Sequence, residues 1–293
     1  GVKNYNKTKP IRIDEFDLEK AWWGTEADGF AVYDIEEAVK KADIVHILLQ
    51  DPAQPAVYYS SIHAHLRPGQ TLSFAHGFAI LYGTIKPPKD VDVILFVPNG
   101  PGPVVRRKFK EGSGIYGAVA VDQDASGHAA ATALAIAKGV GSTRVGTIKL
   151  SFQHETEGDN FEEQVLYGGA IQLMRSIYKV MTDNGYPASF AYAKAVRSIR
   201  SIIDDIDEVG VEEYLTRRAS RTCEFAVRTS GPRVINEDAI QQIFEETEKG
   251  IFARNWLNEF NLGMPTLNRM RRTWADSDME RTGKLFRDKF GMS

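Results

Sequence analysis

The first half of the chain alternates short apolar runs with helical patterns. Ile44-Val-His-Ile-Leu-Leu49 is nearly continuous in apolar character, the pattern of a buried strand. Thr71–Ala75 and Val91–Val97 repeat that pattern. Asp34–Lys41 and Pro55–Leu66 read as helices between and before them. Asp34 stands in the N-cap position, and Arg67-Pro-Gly69 closes the second helix. Ile11–Ile13 is a shorter apolar–basic–apolar run upstream. Strands separated by helices predict βαβ units and a mostly parallel sheet. Ligands collect at the carboxyl ends of such strands. Three loops stand there: Gln50-Asp-Pro52, Ala75-His-Gly-Phe78 and Pro98-Asn-Gly-Pro-Gly102.

The second half changes character. Ser126–Lys138 is alanine-rich and helical, and Arg144–Phe152 reads as a strand. Helical patterns then dominate over Phe161–Asp183, Phe190–Asp207, Val211–Ser230, Asn236–Lys249 and Asp278–Phe290. Asn184-Gly185, Gly210 and Gly231-Pro232 punctuate them. The pattern predicts an α/β domain over residues 1–150 and an all-α domain over residues 151–293.

Composition narrows the function classes. The 293 residues are 43% hydrophobic and 26% charged with a net charge of −3, a globular mixture without the basic excess of a nucleic-acid binder. No apolar run reaches the roughly 20 residues of a bilayer span, which argues against a membrane partner. One cysteine, Cys223, excludes an internal disulfide and a cysteine-built zinc site, and points to a cytoplasmic compartment. Gly1–Ile13 lacks the apolar core of a signal peptide.

Seven strings fall in order along the chain. They are Gln54-Pro-Ala-Val-Tyr58, Phe74-Ala-His-Gly-Phe78, Pro98 to Gly102, Gln123-Asp-Ala-Ser-Gly127, Ala137-Lys-Gly139, Glu155-Thr-Glu157 with Asp159, and Ser230-Gly-Pro-Arg-Val-Ile235. As a set, from about Ala27 onward, they resemble ketol-acid reductoisomerase in its short form. The resemblance implies a Rossmann-like domain holding NADPH and a knotted helical domain forming a homodimer, or a multiple of dimers. It also implies two Mg²⁺ ions and a small anionic keto or hydroxy acid as substrate. The family reaction is alkyl migration within a 2-acetohydroxy acid, followed by hydride reduction to a 2,3-dihydroxy acid, in branched-chain amino-acid synthesis.

Several positions depart from the family pattern. No G-x-G-x-x-G turn is present, and Gly1 corresponds to a point after the family's first strand and helix. Asp159 and Glu163 keep the D-x-x-x-E metal spacing, with Glu162 an alternative ligand because the following stretch is one residue shorter. Lys194 and Ser198 occupy the places of the second metal's two carboxylates, so at most one Mg²⁺ is expected. Lys194 either stands in for that metal as a fixed charge or belongs to a solvated basic face. Asn99 replaces a family lysine and cannot carry charge. His76 and Ser220 survive as catalytic candidates.

On the cofactor side, Gln50, Pro52 and His76 lie in strand-end loops, while Asp14, with Asp17, is placed to approach a ribose hydroxyl. His46 reads as a core histidine, Trp22-Trp23 as a packing pair, and Cys223 takes no role. These departures lead to a divergent NAD(P)H-linked oxidoreductase that does not perform the two-metal isomerisation. The alternatives are a non-catalytic binding or assembly homologue and an ordinary ketol-acid reductoisomerase.

Overall fold

The computed structural model describes residues 31–291. Ile11–Ile13, Asp14, Asp17 and Trp22-Trp23 lie outside the described residues. The chain divides into two compact units. The first comprises the described residues up to Asp159 together with Ala253–Gly263. The second comprises Asn160–Phe252 and the residues from Met264 onward.

Helix α1 (Ile35–Lys41) leads into β1 (Ile44–Ile47) in the first unit. Asp34 occupies the cap position of α1, but its side chain makes no capping bond. The helix expected over Pro55–Leu66 is a composite. A 3₁₀ turn at Asp51–Ala53 runs into α2 (Gln54–Val57), then a π turn at Tyr58–Ile62 and a second 3₁₀ turn at His63–His65. Strand β2 (Thr71–Phe74), α3 (Phe78–Leu81), β3 (Asp92–Pro98) and α4 (Gly102–Lys110) follow. Then come β4 (Gly117–Gln123), α5 (Ala129–Gly139) and β5 (Thr147–Lys149). The strand expected over Arg144–Phe152 shrinks to β5, because Ser142–Arg144 forms a 3₁₀ turn and Phe152 opens a helix.

The five strands run in sequence order β1-β2-β3-β4-β5. Pairing is parallel throughout except between β3 and β4. Leu72, Phe74, Val93 and Leu95 fill one face, with Tyr58 and Ile85. Ile94 and Phe96 fill the other against Ala129, Ala133 and Ala137 of α5, whose small side chains let the helix lie close. The buried Asp92 carboxylate accepts from the Ala125 and Ser126 amides at 2.8 and 2.9 Å and from Ser126 Oγ at 2.7 Å, which pins the turn before α5.

Helix α6 (Phe152–Glu162) begins in the first unit. The second unit opens near its end, with a π turn at Glu163–Tyr167 and then α7 (Gly168–Asp183). Next are α8 (Ala188–Tyr192), a π turn at Ala193–Arg197 and α9 (Ser198–Val209). Short α10 (Val211–Glu213) runs into a fourth π turn at Tyr214–Arg218, followed by α11 (Arg221–Ser230) and α12 (Glu237–Glu248). Val211–Ser230 is therefore two helical pieces rather than the expected one. Helices α13 (Ile251–Asn261), α14 (Pro265–Ala275) and α15 (Asp278–Phe290) close the described chain. Tyr178, Ala191, Tyr192 and Ala195 form a core that Met279 and Phe286 of α15 complete. Gly283 lets α15 lie against Tyr192, since a Cβ there would stand 2.6 Å from the ring. This is an α/β Rossmann-like domain followed by a helical one.

Candidate active site

The site grows from the carboxyl end of β2. The strand stops at Phe74, and the Ala75-His76-Gly77 turn delivers His76 to helix α6. Glu155 and Asp159 stand four residues apart on α6 and so share one helix face. His76 Nδ1 lies 3.0 Å from Glu155 Oε1 and 3.5 Å from Asp159 Oδ2. Glu155 is anchored by its other oxygen. Its Oε2 accepts from the Gly77 amide at 2.9 Å and from the Thr156 hydroxyl at 3.1 Å. A Cβ on Gly77 would lie 2.3 Å from Thr156 Oγ1, so only glycine permits this approach.

Electrostatics follow from that geometry. The Glu155 side chain is 5% exposed, His76 16% and Asp159 44%, so the cluster is closed on one side and open at Asp159. Burial alone would lower the His76 pKa. The hydrogen bond and charge of Glu155, with the charges of Asp51 and Asp159, outweigh it and raise His76 to about 9. Burial pushes the Asp51 carboxyl upward, against the pull of His76. Asp51 sits in the loop after β1, beside two of the residues expected at the site. Pro52 is buried there, and the Gln50 carbonyl accepts from the Ala53 and Gln54 amides at 2.9 and 3.2 Å. Gln54 donates to the Leu49 carbonyl at 2.8 Å and to Asp51 Oδ1 at 3.2 Å.

An apolar cavity of about 630 Å³ opens at the same strand ends. Ala75, Phe96, Pro98, Val105, Phe109 and Ile136 line it, with Arg106 and the Gly100 and Gly102 main chain at its margin. His46 also lines this cavity, at 2.8 Å from Ser73 Oγ. It is an exposed residue rather than the core histidine its neighbours suggested, because β1 ends the sheet order among the described residues. Asn99 is engaged by Tyr116, through its side-chain amide to the hydroxyl and through its backbone N–H to the carbonyl at 2.9 Å.

The remaining candidates belong to the second unit. Glu163 opens the π turn at Glu163–Tyr167, directly after Glu162. Lys194 lies in the π turn at Ala193–Arg197 and holds its ammonium over the Phe190 ring at 5.5 Å. Ser198 Oγ donates to the Ala193 carbonyl at 3.4 Å. Ser220 caps α11, its hydroxyl accepting from the Cys223 amide at 3.2 Å. Sequence reasoning missed Glu155 as a site residue, although it stands in one of the motif strings. The available signal was the i,i+4 spacing of Glu155 and Asp159.

Known proteins match this arrangement along most of the chain. Residues 10–146 match the domain described as acetohydroxy acid isomeroreductase, NADPH-binding domain, and residues 152–291 match ketol-acid reductoisomerase, C-terminal domain. The chain belongs to the ketol-acid reductoisomerase family. A relative named ketol-acid reductoisomerase (NADP(+)) from Methanocaldococcus jannaschii is 40% identical over 276 residues, which is 93% of this chain and 83% of the relative. A relative of the same name from Sulfurisphaera tokodaii is 42% identical over 272 residues, covering 92% and 82%. The solved structure of an NADH-preferring ketol-acid reductoisomerase from an uncultured archean superposes with a TM-score of 0.88 at 36% identity, covering 92% of this chain and 82% of that one. The first domain is thus the family's NADPH-binding domain and the chain is of an oxidoreductase family. No helix among the described residues is long and apolar enough to cross a membrane.

Proposed function

We propose that this chain is a ketol-acid reductoisomerase acting with NAD(P)H and a divalent cation on a small 2-acetohydroxy acid. The observation that carries the reading is similarity at about 40% identity across both domains to relatives of that name. The comparisons thereby favour the ordinary family reaction over the reduced chemistry that Asn99, Lys194 and Ser198 suggest.

The residues present fit a divalent cation. His76, Glu155 and Asp159 converge with their ligand atoms within 4.8 Å of one another. Glu155 and Asp159 would hold the ion through hard carboxylate oxygens, and Glu163 is the further carboxylate that the family pattern offers. When bound, such an ion polarises substrate oxygens as a Lewis acid. Anchoring of Glu155 Oε2 by Gly77 and Thr156 keeps the ligand oxygen Oε1 in place before substrate arrives. NAD(P)H supplies the hydride. The apolar cavity beside Ala75 would exclude water from its nicotinamide end, and Arg106 at the margin would meet its phosphate charge.

A second reading, reduction of a keto acid without alkyl migration, is favoured by Lys194 and Ser198 where the family pattern has carboxylates. One experiment separates the two. NADPH and NADH oxidation is followed with Mg²⁺ and either 2-acetolactate or the already rearranged 3-hydroxy-2-keto acid. Turnover of both supports the proposal, and turnover of the second alone supports reduction only. Turnover of neither refutes both and leaves a binding homologue.

The same reading proposes a homodimer or a multiple of it. The helical unit leaves the large apolar side chains Leu166 58%, Ile203 56% and Phe225 70% exposed, and a second copy of the chain is the partner that the family resemblance offers to cover them. A monomeric mass by light scattering at micromolar concentration would reject this.

A further inference from the structure

We propose that Asn99 is a self-modifying site: it loses its side-chain amide through attack by the Gly100 nitrogen, so the loop after β3 turns acidic as the protein ages. The chain holds two Asn-Gly pairs, Asn99-Gly100 and Asn184-Gly185. Glycine has no Cβ to shield its amide nitrogen, so both pairs carry the atoms this reaction needs. The fold separates them.

Asn184 is locked. It ends α7, and Gly185 follows at φ +82°. The Gly185 N–H donates to the Thr182 carbonyl at 3.0 Å and the Tyr186 N–H to the Met181 carbonyl at 3.0 Å, the bond pair of a Schellman motif. The Asn184 side-chain amide donates to the Val180 carbonyl at 2.8 Å. Ring closure there must break these bonds together and open the helix end.

Asn99 is held less firmly. The Gly100 N–H donates to the Pro98 carbonyl at 2.8 Å, and Asn99 between them has a negative φ, so the bond closes an inverse γ-turn. That bond ties the loop only to itself. The Asn99 side chain is exposed, and its amide donates to the hydroxyl of Tyr116, a residue 48% exposed. The Asn99 N–H donates to the Tyr116 carbonyl at 2.9 Å. The residue therefore stays anchored through its own backbone while the Gly100 nitrogen turns toward the side chain.

The chemistry needs only water. The Gly100 nitrogen attacks Asn99 Cγ. An N–C bond forms, the Cγ–Nδ2 bond breaks, and ammonia leaves with the proton that the Gly100 nitrogen gave up. Water then opens the cyclic imide at either carbonyl. One opening leaves aspartate, and the other leaves isoaspartate, with an extra carbon in the main chain between β3 and α4. Either product puts a carboxylate on the loop whose Pro98, Gly100 and Gly102 line the apolar cavity. Among the described residues lining that cavity, Arg106 alone carries a permanent charge. The new carboxylate opposes the anions that Arg106 attracts. The modification does not depend on the reaction proposed above.

The test is ageing of the folded full chain at mildly alkaline pH, where the attacking nitrogen loses its proton more readily. Peptide mass spectrometry follows the unit mass gain at each Asn-Gly pair, and isoaspartyl methyltransferase labels the isoaspartate. Asn99 should convert on the order of ten-fold faster than Asn184, because the helix cap holds Asn184 by more hydrogen bonds. In urea the two pairs should convert at similar rates, since the fold no longer distinguishes them. Gly100→Ala adds a Cβ beside the attacking nitrogen and should slow conversion at Asn99, with far-UV circular dichroism checking that the variant folds. Conversion of Asn184 as fast as Asn99 in the folded chain, a lead of Asn99 that persists unchanged in urea, or an Asn99 that survives ageing intact would each overturn the inference. None of these measurements requires a variant.

Discussion

Replacing Gly77 with alanine tests the packing that joins β2 to α6. The added Cβ would stand 2.3 Å from Thr156 Oγ1, 3.0 Å from Phe152 Cδ1 and 3.2 Å from Glu155 Oε2. Thr156 is completely buried and Phe152 nearly so, which leaves no flexible end to swing away. Forcing a methyl into a filled core costs about 1–3 kcal/mol. The displaced Glu155 carboxylate would also lose its bond from the Gly77 amide, and a charged hydrogen bond is worth about 1.5–3 kcal/mol. Because both effects come from one shift they overlap, and the expected loss is about 2–4 kcal/mol. Urea denaturation measures it as a lowered midpoint at unchanged slope. Thr156→Ala removes the atom nearest the new methyl. The double variant should therefore be less destabilised than the sum of the two singles by about 1 kcal/mol or more. A loss below about 0.5 kcal/mol in Gly77→Ala, or strict additivity with Thr156→Ala, would refute this account of the turn.

His76 gives a pH prediction. Its folded pKa of about 9 lies above the ordinary value of 6.5, so its contribution is fully present below about pH 6.5 and lost as pH rises through about 9. Stability in EDTA should therefore fall across that window, by up to about 3 kcal/mol, and Glu155→Gln should flatten the fall; a flat profile in the unmodified chain would contradict the pairing. Ser220→Ala removes the α11 cap and should cost about 0.5–2 kcal/mol by thermal unfolding. Gly283→Ala drives a methyl into the Tyr192 ring and should cost about 1–3 kcal/mol, relieved by Tyr192→Leu in the same assay.

Much of the first unit was legible because its signals are strong and local. The apolar runs at Ile44, Thr71 and Val91 become β1, β2 and β3 within a residue or two. The predicted helices Asn236–Lys249 and Asp278–Phe290 match α12 and α15 equally closely. Strand β4 escaped notice because Gly117-Ala-Val-Ala-Val121 is built of small residues, and its antiparallel pairing with β3 has no sequence mark. The sequence pointed to His76 through its place after a strand. It offered only the i,i+4 spacing with Asp159 for Glu155, because the partnership with His76 spans 79 residues and is made by packing. Asn99 stood out as a substitution for a charged residue, yet only the fold shows Tyr116 engaging it. Lys194 and Ser198 are four residues apart and would share a face of an ordinary α-helix. They straddle a π turn, where bonds run to the fifth residue and four-residue spacing no longer closes a turn.

The stretch Ala253–Gly263 belongs to the first unit although the residues on both sides of it belong to the second. The polypeptide therefore crosses between units at three places instead of one. In genetic terms the halves are not interchangeable cassettes. A recombination event near residue 150, where the sequence pattern changes, would separate the N-terminal segment from its own last helix. A functional exchange would need two coordinated breakpoints more around α13. Such a layout resists domain shuffling, and it directs inheritance of the NADPH-binding and helical parts as a single block.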